Sequence, residues 1–237
     1  MRRWLWVMVL GFLPCAAVHA EVVSTQPKAS DVSLELKFGS YAPDLDKSAG
    51  LKNSTPYEST FGPKSAMLMF QFEVDKFLFR KFGSLGVGFS AGYAEKYGAS
   101  LEARGTGNPQ PSQVIKTGLH VIPLKLLALY RLDYLALRWK VPLVPYAKLG
   151  FIYQPWWTVN GSASEQSGGR MGWGGVVGLS FLLDVLEPQL AKDFSSDVGV
   201  RHSYFFVEYQ ANEIRGFSRH GMDFSNRNFF FGMAFDF

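Results

Sequence analysis

The stretch Asn228-Phe229-Phe230-Phe231-Gly232-Met233-Ala234-Phe235-Asp236-Phe237 puts Phe229, Phe231, Met233, Phe235 and Phe237 at every second position. Successive side chains of a strand point to opposite faces, so this spacing predicts a β-strand with one wholly apolar face. A soluble β-protein would hide that face in its core. A barrel in lipid would turn it outward and keep the other face for its interior. The rest of the chain decides between the two.

Working back from that stretch, the same period of two recurs. Ser33–Tyr41 sets Leu34, Leu36 and Phe38 against Glu35, Lys37 and Gly39, and Ala66–Phe79 sets Leu68, Phe70, Phe72 and Val74 against Gln71, Glu73 and Asp75. After a tight break at 80–84, Leu85–Tyr97 carries bulky residues on one face and Gly86, Gly88, Ser90 and Gly92 on the other. A water-facing side would carry Thr, Lys or Glu instead, so this bare face is expected to meet long side chains from its neighbours. Thr117–Asp133, Tyr146–Val159, Met171–Asp184 and Gly199–Asn212 complete a set of eight strands with Asn228–Phe237. The segment Leu186–Ser195 is expected to make a turn or two of helix.

The connections alternate. Segments 42–65, 98–116, 160–170 and 213–227 are long and polar, whereas 80–84 and 134–145 are compact. Outer-membrane barrels have short periplasmic turns and longer extracellular loops. No stretch after residue 20 is apolar for the ~18 residues a membrane helix needs. Aromatics nevertheless reach 16% and charged residues only 19%, a bias that alternation in a barrel explains and an ordinary soluble domain does not. The expected fold is therefore all-β, a closed antiparallel up-and-down transmembrane β-barrel over residues 31–237.

The N-terminus reads as an export signal. Arg2 and Arg3 precede the apolar run Trp4–Leu13, and Val18-His19-Ala20 is a small-residue cleavage pattern, so residues 1–20 are expected to be removed after Ala20. Residues 21–30 form a short periplasmic lead-in. A lipoprotein signal using Cys15 fits poorly, because Phe12-Leu13-Pro14 precedes it. Cys15 is the chain's one cysteine, which leaves the barrel without disulfide or thiolate metal chemistry. Without the signal the charges nearly balance, which excludes a nucleic-acid footprint.

Alternation places Glu35, Lys37, Glu73, Asp75, Lys125, Arg131, Lys148 and Glu208 on the face away from lipid. Two readings stand: a polar conduit, or a lumen plugged by ion pairs in which Glu73 and Glu208 neutralise some of the cations. The narrow interior of eight strands favours the plug. Trp139 near one end, and Trp156, Trp157 and Trp173 near the other, suggest the aromatic girdles of the two membrane interfaces. No cofactor or metal site is expected, since His120 and His202 stand singly on separate strands.

The terminal row Phe229 to Phe237 resembles the C-terminal signal that the barrel-assembly machinery recognises in outer-membrane proteins. The runs Leu34–Pro43, Phe72–Asp75, Phe82–Gly88 and Val144–Gly150 resemble a myxobacterial family of small outer-membrane β-barrels, and more distantly the outer-membrane-protein-A-like and opacity-protein barrels. The resemblance implies a cell outer-membrane location, with lipid and the assembly machinery as partners, and, the family having no assigned activity, it adds nothing on mechanism. A lipid-A deacylase would resemble a His and Ser two residues apart, but Asp223 stands where that His would be, before Ser225-Asn226. The expected role is thus non-enzymatic: a barrel presenting four extracellular loops, open to an extracellular ligand, with a narrow solute channel as the alternative.

Overall fold

The computed structural model describes residues 31–48, 51, 54–63, 65–103, 109–139, 141–160, 163–216 and 221–237. The expected signal peptide and lead-in, residues 1–30, lie outside the described residues. The strands are β1 (Val32–Tyr41), β2 (Met67–Arg80), β3 (Ser84–Ala103), β4 (Pro109–Val121), β5 (Leu124–Arg131), β6 (Leu143–Asn160), β7 (Ala163–Leu182), β8 (His202–Glu213) and β9 (Asn226–Asp236). All pair antiparallel with their neighbours, and β1 pairs with both β2 and β9. The sheet therefore closes on itself as an up-and-down barrel.

Nine strands fill eight positions in the ring. The segments β4 and β5 share one position between β3 and β6: β4 pairs with the far halves of both, and β5 with their near halves. The break falls at Ile122-Pro123, because proline brings no N–H to a ladder and bends the strand that holds it. Neighbouring backbone covers the gap. The Gly92 N–H donates to the Pro123 carbonyl at 2.9 Å, and the Ile122 N–H to the Pro155 carbonyl at 3.0 Å.

Alternation sorts the two faces of the wall. On the outside, Phe38, Phe70, Phe89, Leu126, Phe151 and Val177 are each about half exposed or more. On the inside, the opposite residues of the same strands are charged or polar and buried, such as Lys37, Gln71, Ser90 and Lys125. Glycine does specific work on β3. A Cβ at Gly88 would fall 2.1 Å from a carboxylate oxygen of Asp75, so the bare face of β3 is the space that Asp75 occupies.

Two expected loops are shorter than the sequence suggests. β3 runs on to Ala103 and β4 begins at Pro109, so most of 98–116 is an extended hairpin, and β7 begins at Ala163 inside 160–170. Beyond the membrane a hairpin needs no apolar face, so its polar composition reads as loop while its backbone ladder continues. At the other end the connections carry helices: α1 (Tyr134–Trp139) and α2 (Pro188–Asp197). Within 42–66 lie a 3-10 turn at Leu45–Lys47 and α3, a one-and-a-half-turn helix at Pro56–Phe61.

Facing is testable at two adjacent residues. Phe89 is 52% exposed and Ser90 fully buried. Phe89→Arg puts a guanidinium in hydrocarbon at a cost of roughly 2 to 4 kcal/mol. Ser90→Thr adds one methyl to a packed interior and costs about 1 to 3 kcal/mol or less. Folding into lipid vesicles, read by the heat-modifiable gel shift of barrels, should fall sharply for the first variant and little for the second; the reverse order would put the wall inside out.

Candidate functional site

The barrel interior gathers chemistry in layers along its axis. At the end that holds the strand termini, Arg131 donates to both carboxylate oxygens of Asp236, at 3.1 and 2.5 Å. Its guanidinium lies 4.3 Å from the centre of the Phe77 ring and 5.2 Å from that of Tyr204. Ser84 donates to Asp133 beside it. Next comes an apolar cluster of Val144, Tyr146, Val176, Tyr204, Phe206 and Ala234.

The middle layer is ionic. The Lys148 ammonium donates to Glu35 at 2.8 Å, to Asp75 at 2.9 Å and to Glu73. Lys37 sits 2.8 Å from Glu73, 3.0 Å from Glu35 and 3.2 Å from Glu208. The Tyr146 hydroxyl and the Gln210 amide both donate to Glu208, at 2.7 and 2.6 Å. One step further towards the loops, Lys125 donates to Gln210 at 2.5 Å and to Gln71 at 3.4 Å. Charges removed from water are costly unless paired, and here each ammonium is met by two or more acceptors.

The expected interior residues therefore share one network apart from Arg131, whose pair with Asp236 closes a separate layer. Glu73 and Glu208 meet Lys37 and Glu73 meets Lys148, whereas amide oxygens meet Lys125 and Asp236 meets Arg131. Glu35, Glu73 and Asp75 bring oxygens within 4.8 Å of one another, a set that could ligate a metal ion. Lys148 already bonds to all three, so an ammonium supplies the positive charge that this cluster needs.

The loop end is closed differently. Leu45 from the first loop, Tyr57 from α3 and Phe224 from the last loop join Tyr41, Met67, Met69, Ile152, Trp156, Ile214 and Phe230 in one buried apolar cluster. Hydrogen bonds tie the two loops together, from the Asp44 N–H to the Ser225 carbonyl at 2.9 Å, and from the Asp223 N–H to the Ser48 hydroxyl at 2.8 Å. Asp46 caps α3, accepting from the Tyr57 and Glu58 N–H groups at 2.7 and 3.0 Å. Burial first, and then that carboxylate, push the Tyr57 phenol up to about 12. Below this lid, the space bounded by Tyr41, Gln71, Lys125, Gln154 and Gln210 is too tight for a water molecule.

The sequence offered little warning of the lid. Its one signal was the set of isolated apolar residues, Leu45, Tyr57 and Phe224, inside polar loops. The girdle expectation needs a correction as well. Trp173 and Trp139 are 49% and 65% exposed, but Trp156 is 8% exposed and packs 5.8 Å from Phe224 inside the barrel. Adjacent residues of a strand face opposite ways, so Trp156 and Trp157 could never both face lipid. Trp157 stacks on His120, with ring centres 4.9 Å apart, and the Tyr93 hydroxyl lies 2.9 Å from the His120 ring. The terminal row stands on the outer wall, with Phe229 57% and Phe231 and Met233 each 41% exposed. In the segment compared with a lipid-A deacylase, Ser225 accepts from the Ile214 N–H and Asp223 accepts from Arg215.

No protein-family model matches the sequence, and no curated protein is similar to it. Among solved structures, the chain is similar to the outer membrane protein OprG from Pseudomonas aeruginosa, at 15% identity and a TM-score of 0.49, over 89% of this chain and 97% of that one. It is also similar to Neisserial surface protein A, at 11% identity and a TM-score of 0.47, over 87% and 96%. A third is the N-terminal β-barrel domain of Pseudomonas aeruginosa OprF, at 13% identity and a TM-score of 0.40, over 89% and 100%. Likeness at this level leaves the chain's role to be read from its own residues.

Lys148 is the node to remove. Lys148→Met leaves Glu35, Glu73 and Asp75 crowded together without their shared cation, a loss on the order of 3 to 5 kcal/mol for a broken buried pair. Thermal unfolding in detergent should shift down strongly. An unchanged melt would mean that Lys148 is not what compensates these carboxylates, leaving Lys37, which meets Glu35 and Glu73, to do so.

Proposed function

We propose that the chain is an integral barrel of a bacterial outer membrane, that its lumen is largely plugged, and that its role lies in the surface it presents outside the cell. That role is structural support of the envelope or contact with an extracellular ligand through the loops. The observation that carries the reading is the Lys148 node beneath the Leu45, Tyr57 and Phe224 lid. Paired charges fill the middle of the lumen, and apolar packing spans it at the loop end. A solute channel would need a continuous polar path, and the lid interrupts one.

An exterior of half-exposed Phe, Leu and Val around the whole wall is costly in water and favourable in hydrocarbon, which supports the membrane assignment. The outward row Phe229, Phe231, Met233, Phe235 and Phe237 is what the barrel-assembly machinery reads, and lipid then covers it. The resemblance to small myxobacterial barrels fits the same location. Binding tends to reside on loops held by a rigid scaffold, and here the bonds between the first and last loops hold them in one arrangement.

Planar-bilayer recording of the purified barrel tests this reading. The expected trace shows no steady conductance. A stable ohmic current in every insertion would favour the channel.

A further inference from the structure

Between β7 and β8 the chain leaves the barrel, makes a 3-10 turn at Leu183–Val185, and runs through α2 back to Val200. This segment lies at the end that carries the strand termini, and its apolar residues are unusually open: Leu186 is 67% and Val198 62% exposed. Between it and the outer wall is a groove of about 310 Å³. It is lined by Leu186, Ala191 and Phe194 on one side and by Met233 and Phe235 of β9 on the other. Met233 and Phe235 continue the outward apolar row of β9, so the groove is an extension of the wall that lipid covers.

Three charged residues complete the lining, and the side chains of two of them, Arg201 and Glu187, have no partner among the described residues. No acceptor among the described residues meets the Arg201 guanidinium, and its Nη1 is buried without one. Glu187 bears a carboxylate that no described cation approaches. The third charge is already engaged, since Asp184 lies 2.7 Å from His202 and accepts from the Ser203 N–H at 3.0 Å. An apolar groove with one free cation and one free anion at its edge is complementary to a molecule with an acyl chain, a phosphate and an ammonium.

We propose that this groove binds one zwitterionic aminophospholipid of the inner leaflet. Its acyl chain lies between α2 and β9, its phosphate meets Arg201 and its ammonium meets Glu187. The proposal rests on the membrane-spanning reading above and adds a specific lipid site to it.

Native mass spectrometry of the barrel, folded into vesicles of equal parts phosphatidylethanolamine and phosphatidylglycerol and then extracted in mild detergent, tests the site. The folded protein should retain one phosphatidylethanolamine in preference to phosphatidylglycerol. Arg201→Ala should lower retention about tenfold, as loss of a charge-assisted contact does. Ala191→Trp should lower it by filling the groove with both charges intact, and Glu187→Gln should remove the preference between headgroups. A folded barrel that carries no lipid, retention unchanged in both Arg201→Ala and Ala191→Trp, or a preference for phosphatidylglycerol would overturn the proposal. A chain giving no heat-modifiable band in any vesicle would refute the membrane reading and this site with it, whereas a folded barrel without lipid refutes the site alone.

Discussion

The seam between β1 and β9 is the constraint on which the rest of the structure depends. Leu34 lies opposite Phe235, Leu36 opposite Met233 and Phe38 opposite Phe231, and this register joins the first strand to the last. An open sheet edge in hydrocarbon would leave a row of backbone N–H and C=O groups without partners, at several kcal/mol for each group. Closure removes the edge. It also fixes the size of the interior, because eight strand positions leave a bore that side chains can fill.

The interior chemistry follows from that size. With so little room, the ionisable residues that alternation sends inward cannot keep separate hydration shells, so they must solvate one another. Lys148 and Lys37 share Glu73 and Glu35, and one ammonium serves several carboxylates at once. The amides of Gln71 and Gln210 play the corresponding part for Lys125. Glycines on β3 make the space, and Asp75 uses it. The apolar cluster of Leu45, Tyr57 and Phe224 with the wall residues lies between this network and the loop end.

Much of this was legible in the sequence, and the boundary has a physical origin. Alternation is local, so it revealed which residues face inward and which outward, and Glu73, Lys148 and Phe89 could be sorted without coordinates. Partnership is set by the stagger of the closed barrel, which alternation does not encode. Hence the meeting of Arg131 with Asp236, over 100 residues away, could be seen only in the closed barrel. The hairpin at β3 and β4 reads as a loop because the stretch 98–116 is rich in polar residues, glycine and proline. Trp156 differs for another reason: nearness to a strand end does not set facing, and the period of two turns Trp156 inward where Trp157 turns outward.

The most direct test of a sealed interior inside a lipid-facing wall is thiol accessibility in vesicles, made clean by the absence of cysteine after Cys15. Single cysteines at positions 71 and 72, replacing Gln71 and Phe72, report the two faces of one strand. The account predicts that a membrane-impermeant, water-soluble thiosulfonate fails to label the inward Gln71→Cys, while a lipid-soluble maleimide labels the outward Phe72→Cys. Rapid labelling of Gln71→Cys by the water-soluble reagent would contradict it, because water and solute would then reach the middle of the barrel.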